Sequence, residues 1–279
     1  MEIEKNIRKY LTAYAENGER SNEKLKPIHG IINAEILNRL GSDPQLMGYG
    51  FGVSENTERK VYTIDNNCWT SDGCFTLRRG NDEKKGGLVD YKLPMSNNGK
   101  NENNLIKHLK GTCSDFKPEG WVFAGVIFLP MRSPDFKQDG TLKKWYNPNN
   151  FIKKCENWMN TTIEKENQPD FLLIVIFDLV DISKNEWGRI KTKTDYINLL
   201  KDYKGKIELI SPKIKVKESI KFIINDVKKF TCNFSNKIIE HCYDKRRKTN
   251  SELFNELPEE EQNTILREYG KKSQIINLD

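Results

Sequence analysis

The sequence lacks the features that mark membrane, secreted and zinc-binding proteins. No apolar run approaches the roughly 20 residues of a membrane-spanning helix, and the charged segment Met1–Lys5 is unlike the start of a signal peptide. The six cysteines include no Cys-x-x-Cys pair and there are only three histidines, which argues against a zinc site and a disulfide framework. We therefore expect a cytoplasmic protein that does not associate with membranes, keeps its thiols reduced, and binds any metal as a hard cation through carboxylates.

Common phosphate-binding and hydrolase motifs are also missing. The chain has no GxxxxGK(S/T) loop and no GxSxG elbow, and the glycine cluster Gly48–Gly52 lacks the third glycine and the helix of a dinucleotide-binding turn. No internal repeat and no linker rich in proline or glycine divides the chain. We therefore expect one domain over residues 1–279, with a helical C-terminal region, from about residue 213, packed on it.

What the chain does have is charge, together with enough apolar surface to fold. Charged residues make up 31% of it, and there are 46 Lys and Arg against 40 Asp and Glu. This mildly basic balance suits a polyanionic partner, although many ordinary proteins share it. Hydrophobic residues make up 36% and aromatic residues 10%, which is enough to form a core.

The apolar periodicity predicts an α/β protein. Helices are predicted over residues 1–17, 27–41, 103–110, 149–165 and 194–203, β structure over 61–93, buried strands over 121–131 and 171–180, and a short strand over 207–210. A loop rich in asparagine precedes the helix over 103–110, and a last helix is predicted from Lys217 to Tyr243, its apolar stripe serving the core or a dimer contact. Alternation of this kind is typical of a mixed central β-sheet flanked by helices.

Two short runs within the β segment, Ser71–Leu77 and Leu88–Leu93, carry the residues of chemical interest. Side chains on a strand alternate between its faces, so Asp90 and Lys92 point one way and the apolar residues between them the other. Turn residues lie between the runs, and a hairpin folded about residues 81–82 would bring Asp72 opposite Asp90 and Lys92. One face would then be polar, and the other would cover the core with Phe75, Leu77, Val89, Tyr91 and Leu93.

Two carboxylates held this close favour a metal ion. Ionising both Asp72 and Asp90 is costly without a cation, and a divalent metal removes that repulsion. Lys92 would then orient an attacking water or stabilise charge at a phosphate.

The arrangement resembles the PD-(D/E)XK nuclease superfamily, in particular the type II restriction endonucleases. Members have an acidic residue at the start of one strand and an acid-x-lysine triplet on the next, which bind Mg²⁺ and hydrolyse a phosphodiester. Here Asp72 and Asp90-Tyr91-Lys92 match this pattern, while Ser71 stands where the motif has proline. The resemblance implies a restriction-endonuclease-like fold over residues 27–180, Mg²⁺ held by Asp72 and Asp90, and a water positioned by Lys92.

Glu35 is a further candidate that the resemblance suggests, because many members have a helical glutamate that contributes to the metal site. The alternative is an ordinary ion pair with Arg39, four residues further along the same helix. His29 and His108 are also candidates for the neighbourhood of the site, although a lone histidine is more often structural. Other acid-x-lysine triplets occur, such as the one ending at Lys137, but none follows an acid-bearing strand.

Two groups of residues are candidates for binding DNA. The basic residues Arg78, Arg79, Lys84 and Lys85 flank the proposed site in sequence, where phosphate contacts are expected. The loop rich in asparagine follows the strand of Asp90 directly, and asparagine side chains can bind adenine edges. The residues of that loop taken as contacts are Asn97, Asn98, Lys100 and Asn101. For each group the alternative is a solvated face without a partner.

These expectations combine into one leading hypothesis, a Mg²⁺-dependent, site-specific endonuclease for double-stranded DNA that acts as a homodimer on a symmetric site. One alternative is a nuclease of the same fold that acts in repair, junction resolution or phage defence. Another is a non-catalytic DNA-binding protein in which the hairpin is only surface.

Overall fold

The computed structural model describes residues 2–18, 25–48, 50–63, 66–160, 167–211, 221–242, 258 and 260–263, without the side chains of Asn56 and Lys100. The chain divides into two compact units, residues 1–239 and residues 240–279. Everything below concerns the first unit, apart from the last three residues of its final helix. The predicted packing of a C-terminal region on a single domain stays a prediction.

Up to residue 242 the described residues form eight helices and eleven strands, numbered here in chain order. The helices are α1 (Ile3–Asn17), α2 (Lys26–Gly41), α3 (Pro44–Gly48), α4 (Asn98–Phe116), α5 (Pro148–Asn160), α6 (Lys184–Arg189), α7 (Lys193–Asp202) and α8 (Val227–Cys242). The strands are β1 (Gly52–Asn56), β2 (Arg59–Tyr62), β3 (Cys68–Ser71), β4 (Gly73–Arg79), β5 (Asp82–Lys92), β6 (Val122–Pro130), β7 (Ser133–Phe136), β8 (Leu142–Tyr146), β9 (Phe171–Leu179), β10 (Ile207–Leu209) and β11 (Phe222–Ile224).

Seven of these strands form one mixed sheet in the order β1-β4-β5-β6-β9-β10, with β11 also paired to β9. The pairs β1–β4, β4–β5 and β9–β10 are antiparallel, whereas β5–β6, β6–β9 and β9–β11 are parallel. β2 with β3, and β7 with β8, form two separate hairpins. The predicted fold class, a mixed central sheet flanked by helices, is confirmed.

Helices cover both faces of the centre of this sheet. A side chain added at Gly125 of β6 would meet Leu109 of α4, so α4 packs on that face. A side chain added at Gly87 of β5 would lie 2.5 Å from Ile238 of α8, so α8 packs on the other face. Burial on both sides explains why β6 and β9 are almost continuously apolar.

The segment rich in asparagine is helical where a loop was predicted. Helix α4 begins at Asn98 and continues to Phe116, whereas the prediction placed a short helix over residues 103–110. The difference arises because Asp135, distant in sequence, accepts a hydrogen bond from the Gly99 N–H at 3.1 Å. A carboxylate at a helix N-terminus satisfies a free N–H group and stabilises the first turn.

The last predicted helix starts later than expected. Ile223 and Ile224 lie in β11, and α8 begins at Val227; residues 217–220 and Tyr243 of that prediction lie outside the described residues. Asn225 separates the two elements with a φ of 53°. Its side chain accepts from the Ile176 N–H and donates to the Ile210 carbonyl, which ties the break to the sheet.

Within the described residues no helix is both long enough and apolar enough to cross a membrane.

Candidate active site

A bulge in the β4–β5 hairpin sets the positions of the two aspartates. At the turn end Arg79 pairs with Asp82, so Gly80 and Asn81 form the turn, one residue earlier than predicted. Continued unchanged, this register would place Asp72 opposite Val89, on the wrong side of the strand. The register shifts after Phe75, which pairs with Gly87, so that Gly86 is the extra residue of a bulge.

Beyond the bulge, Gly73 pairs with Val89, and the next position outward sets Asp72 opposite Asp90. Opposed residues of an antiparallel pair lie on the same face, so the two carboxylates share one side of the hairpin. Asp72 itself occupies the bend between β3 and β4. Ser71, which stands in place of the motif's proline, is buried and donates from its hydroxyl to the Gly73 carbonyl at 2.7 Å across that bend.

Asp72 makes a hydrogen bond with the backbone of β5, the strand that carries Asp90. The Tyr91 N–H donates to Asp72 Oδ2 at 2.8 Å. Burial raises the pKa of Asp72 to about 7, and the negative charge of Asp90 close by acts in the same direction, against the Tyr91 N–H and Lys92. In the absence of a cation this pair therefore holds a proton near neutral pH.

Asp90 is 1% exposed and has an incomplete set of partners. Lys92 Nζ donates to Asp90 Oδ1 at 2.6 Å, and the Lys92 side chain is 22% exposed. The second oxygen, Oδ2, is buried and makes no hydrogen bond within the described residues. His108 Nε2 lies 3.6 Å from it; burial and the charge of Lys92 lower the pKa of His108, so its imidazole is mainly neutral near pH 7.

Asn33 of α2 is a buried residue that the sequence did not indicate, and it ties the bend to the helix. Its Nδ2 donates to the Asp72 carbonyl at 3.2 Å and to Glu55 Oε1 at 3.0 Å. Its Oδ1 accepts from the Tyr91 hydroxyl at 2.7 Å. Gly73 is required here, because a Cβ atom would lie 2.7 Å from the Asn33 side chain. The one signal in the sequence is a polar residue within the buried stripe of α2.

His29, also on α2, lies on the opposite side of β5 from Asp90. Its ring packs against that of Tyr91, with centroids 4.4 Å apart and the ring planes tilted by 34°. Burial, together with the charge of Lys92, lowers the pKa of His29 to about 4, so the ring is neutral at neutral pH. Neither ring nitrogen has a partner among the described residues.

Glu35 has a different partner from the one that the resemblance suggested. Its Oε1 lies 2.8 Å from Arg39 Nη2, which is the ion pair considered as the alternative. Within the described residues no group of three or more His, Cys, Asp or Glu side chains is placed to hold a metal ion. The geometry therefore joins Asp72, Asp90 and Lys92 and leaves Glu35 outside.

The prediction that one face of the hairpin is polar is wrong. Leu88 and Cys74 lie on the same side as Asp90 and are fully buried in the core that includes Leu109 and Cys113 of α4. That face is polar only at its end, where α4 does not cover Asp72 and Lys92 completely. The two carboxylates are consequently at the rim of a core, where low polarity strengthens their interaction.

The basic residues of the hairpin are at its other end. From Asp72 to Arg78 the strand advances by roughly 20 Å, so the turn residues do not flank the aspartates in space. Arg78 pairs with Glu83, and Lys85 Nζ lies 3.0 Å from the Glu119 carbonyl. Their role in binding DNA, with that of Arg79 and Lys84, stays a prediction.

The asparagine residues after β5 do not form an open loop, and two of them make hydrogen bonds that stabilise the fold. Asn97 has a φ of 56°, and its Oδ1 accepts from the Phe136 N–H at 2.9 Å. Asn98 is buried, and its Nδ2 donates to the Pro94 carbonyl at 3.2 Å. Asn101 is exposed on α4, and only the backbone of Lys100 is described. The loop predicted to bind bases is therefore the first turn of a helix.

The donor set fits a hard divalent cation. All its donors are carboxylate oxygens, and one of them, Asp90 Oδ2, is buried and makes no hydrogen bond with any residue that the structure describes. Mg²⁺ is commonly bound by one or two carboxylates, with water and substrate phosphate completing its six positions. Two aspartates are sufficient for that mode, although they are too few for a cage made of protein alone.

Comparison with known proteins adds a weak structural similarity. No protein-family model matches the chain, and no characterised protein matches it in sequence. A solved structure similar to it is that of the pre-specific restriction endonuclease BsaWI in complex with DNA, with 10% sequence identity and a TM-score of 0.31. The similarity covers 83% of this chain and 73% of that one. At this level no residue role is transferred, and the chemistry has to be argued from the site itself.

Proposed function

We propose that this protein is a Mg²⁺-dependent endonuclease for double-stranded DNA, with Asp72, Asp90 and Lys92 as its active site. The observation that carries the proposal is the bulged register that faces Asp72 with Asp90, together with an Asp90 Oδ2 that is buried and makes no hydrogen bond within the described residues. Such a pair does not stabilise a core, because burying two carboxylates together costs free energy unless a cation or a proton neutralises them.

The positions of the three side chains support the following proposed roles. Asp72 and Asp90 would hold Mg²⁺, and the bound ion would supply a water of lowered pKa and positive charge beside the phosphate. The Tyr91 N–H holds Asp72 in place through Oδ2. Lys92, within reach of Asp90 and partly open to solvent, orients the attacking water and stabilises the negative charge that develops on the phosphoryl oxygens.

The finer part of the proposal is site-specific cleavage by a homodimer, as in the type II restriction endonucleases whose motif the hairpin resembles. A nuclease of the same type that acts on branched or damaged DNA is distinguished by its products. Discrete fragments from unmethylated plasmid and phage DNA support the restriction activity, whereas nicking that depends on DNA structure supports the second.

The test compares the wild-type protein with Asp90→Asn and Lys92→Ala on these DNAs, with Mg²⁺ and with EDTA. We expect cleavage by the wild type only with Mg²⁺, and a loss of at least about 100-fold in each variant. Asp115→Ala is the matched control, because Asp115 is an exposed acid that also precedes a lysine by two positions. Absence of cleavage with every divalent ion, alongside DNA binding, would support the non-catalytic alternative.

A further inference from the structure

A strongly basic surface lies beyond the C-terminal ends of β5 and β6, two central strands of the sheet. It consists of residues 131–146, which contain the β7–β8 hairpin, and residues 184–193, which contain α6. Its basic residues are Arg132, Lys137, Lys143, Lys144, Lys184, Arg189, Lys191 and Lys193, and its acidic residues are Asp135, Asp139 and Glu186. Eight positive against three negative charges leave +5, compared with +6 for the whole chain.

The two segments of the basic surface form one unit. The Leu142 N–H donates to the Lys191 carbonyl at 2.7 Å, and the Lys193 N–H donates to the Gly140 carbonyl at 2.9 Å. Thr141 and Thr192 form an antiparallel bridge between these bonds. Main-chain pairing therefore fixes the spacing of the positive charges, which a mobile loop would not do.

The three acids of the basic surface are engaged with backbone groups. Asp135 accepts from the Gly99 N–H, Asp139 accepts from the Thr141 N–H at 2.9 Å, and Glu186 accepts from the Ser183 N–H at 2.8 Å. Lys144 approaches Asp135 Oδ2 only to 3.9 Å. Lys137 and Lys143 are exposed, and no ion pair with a described acid is formed by either.

An aromatic pair gives the basic surface a rigid centre. Trp145 is 37% exposed, and its ring meets that of Trp187 edge to face with centroids 5.4 Å apart. The Arg132 guanidinium lies 5.3 Å from the Trp187 ring centroid, in a cation–π contact. Lys143 and Lys144 precede Trp145 directly, so an amphipathic ring lies between positive charges, as suits a sugar–phosphate backbone.

The basic surface and the candidate active site both lie at the C-terminal ends of β5 and β6. β5 and β6 are parallel, with Lys92 beside Ile127, and β6 ends three residues later, at Pro130. The basic surface therefore begins roughly 10 to 15 Å beyond Lys92. Ser133 Oγ donates to the Met95 carbonyl at 3.1 Å, and Pro134 accepts from the Asn97 N–H at 2.8 Å, so the hairpin is fixed to the segment that follows β5.

We propose that the basic surface binds the sugar–phosphate backbone of duplex DNA and holds it across Asp72, Asp90 and Lys92. Duplex DNA is about 20 Å wide with one negative charge per roughly 1.7 Å of its axis, so one duplex reaches both places. The choice of DNA as the polyanion rests on the proposed function. The position and the charge of the surface do not.

The test compares two double variants that remove the same charge. Lys137→Gln with Lys143→Gln lies on the basic surface, and Lys228→Gln with Lys229→Gln lies on exposed positions of α8, which packs on the sheet face opposite Asp90. Binding of a fluorescent duplex is measured in EDTA over a range of salt concentrations. We expect the first variant to bind at least about 10-fold more weakly, with a salt slope lower by about 2, because each phosphate contact contributes about 1. The α8 variant is expected to bind like the wild type.

Equal affinity and slope in the first variant, or an equal loss in the α8 variant, would overturn the proposal. Competition by duplex RNA that exceeds competition by duplex DNA would overturn the choice of partner. Cleavage is assayed separately with wild type and Asp90→Asn, so the two proposals fail in different ways. If the lysine variant binds more weakly but the wild type never cleaves, the basic surface is supported and the proposed function is not. If cleavage depends on Asp90 but the lysine variant binds like the wild type, only the proposal for the basic surface is overturned.

Discussion

The raised pKa of Asp72 predicts how the stability of the fold depends on pH. Because the folded-state pKa of about 7 lies above the unfolded value near 3.8, protonated Asp72 stabilises the fold below pH 4, and this contribution is lost as pH rises through 7. For metal-free protein we expect unfolding free energies of wild type and Asp72→Asn to diverge by roughly 2 to 4 kcal/mol between those limits, with the variant favoured at high pH. Urea unfolding in EDTA at several pH values measures this.

Asn in place of Asp72 keeps an oxygen for the Tyr91 N–H, so the comparison isolates the charge. A difference between the two proteins that does not change with pH would show that Asp72 is neither buried nor close to Asp90 in solution.

We predict that Asn33 is a positioning residue for the candidate site, because it makes hydrogen bonds with the Asp72 carbonyl and the Tyr91 hydroxyl. Asn33→Ala leaves the buried Tyr91 hydroxyl without its acceptor and the Asp72 carbonyl without its donor. We expect a loss of stability of about 1 to 3 kcal/mol, together with slower cleavage and unaltered DNA affinity in EDTA. Stability by urea unfolding, single-turnover cleavage rates and duplex binding together check this.

Asn38→Ala is the matched control for Asn33→Ala, since Asn38 is exposed on the same helix. Cleavage by Asn33→Ala at the wild-type rate, once its lower stability is allowed for by assay at low temperature, would remove the positioning role.

At the scale of elements, strand parity was sufficient to predict the hairpin and to place Asp90 and Lys92 on one side of it. It was not sufficient to set Asp72 opposite Asp90, because an unbroken register from a turn at 81–82 pairs Asp72 with Tyr91 and one from the observed turn pairs it with Val89. The bulge at Gly86 moves Asp72 opposite Asp90. A pair of glycines in a strand indicates a bulge or a close approach but not the direction of the register shift.

Contacts distant in sequence account for the other differences. The first turn of α4 depends on Asp135, and the bend at Asp72 depends on Asn33, and neither relation has a local signal. The buried strands β6 and β9 were predicted correctly because long apolar runs, with nine consecutive buried positions in β6 and seven in β9, leave little choice of element. Local pattern thus predicted the sheet, while tertiary hydrogen bonds decided the details of the site.

The bulge itself can be tested with Gly86→Ala. A Cβ at this position would lie 2.5 Å from the Phe75 carbonyl oxygen, a backbone atom that cannot move without changing the register. We expect a loss of stability of at least about 2 kcal/mol and loss of the protected Tyr91 amide in hydrogen exchange, because that amide bonds to Asp72. Gly111→Ala on α4 is the control; its Cβ would meet nothing within 4 Å, so a small gain is expected. Unaltered stability and Tyr91 protection in Gly86→Ala would show that the register does not depend on this glycine.

At the scale of the whole molecule, opposite charges are concentrated in neighbouring places along one sheet edge. The two aspartates repel both each other and a phosphate, whereas the basic surface carries most of the net charge of the chain. A polyanion bound at the basic surface would meet a pair of carboxylates that repel it unless a cation is present. Substrate and metal are therefore expected to strengthen each other's binding.

Magnesium alone should already stabilise the fold. A ligand that binds only the folded state at ten times its Kd adds about 1.4 kcal/mol to the unfolding free energy. We expect MgCl₂ to raise the melting temperature of the wild type relative to NaCl of equal ionic strength. The rise should be larger at pH 8 than at pH 6, because Asp72, with a pKa of about 7, is mainly ionised at pH 8 and mainly protonated at pH 6. Asp90→Asn should remove the response, and Asp115→Ala should keep it. A rise of equal size in Asp90→Asn would place the ion elsewhere on the protein, and a wild type that does not respond to Mg²⁺ even when duplex DNA is bound would contradict the metal site altogether.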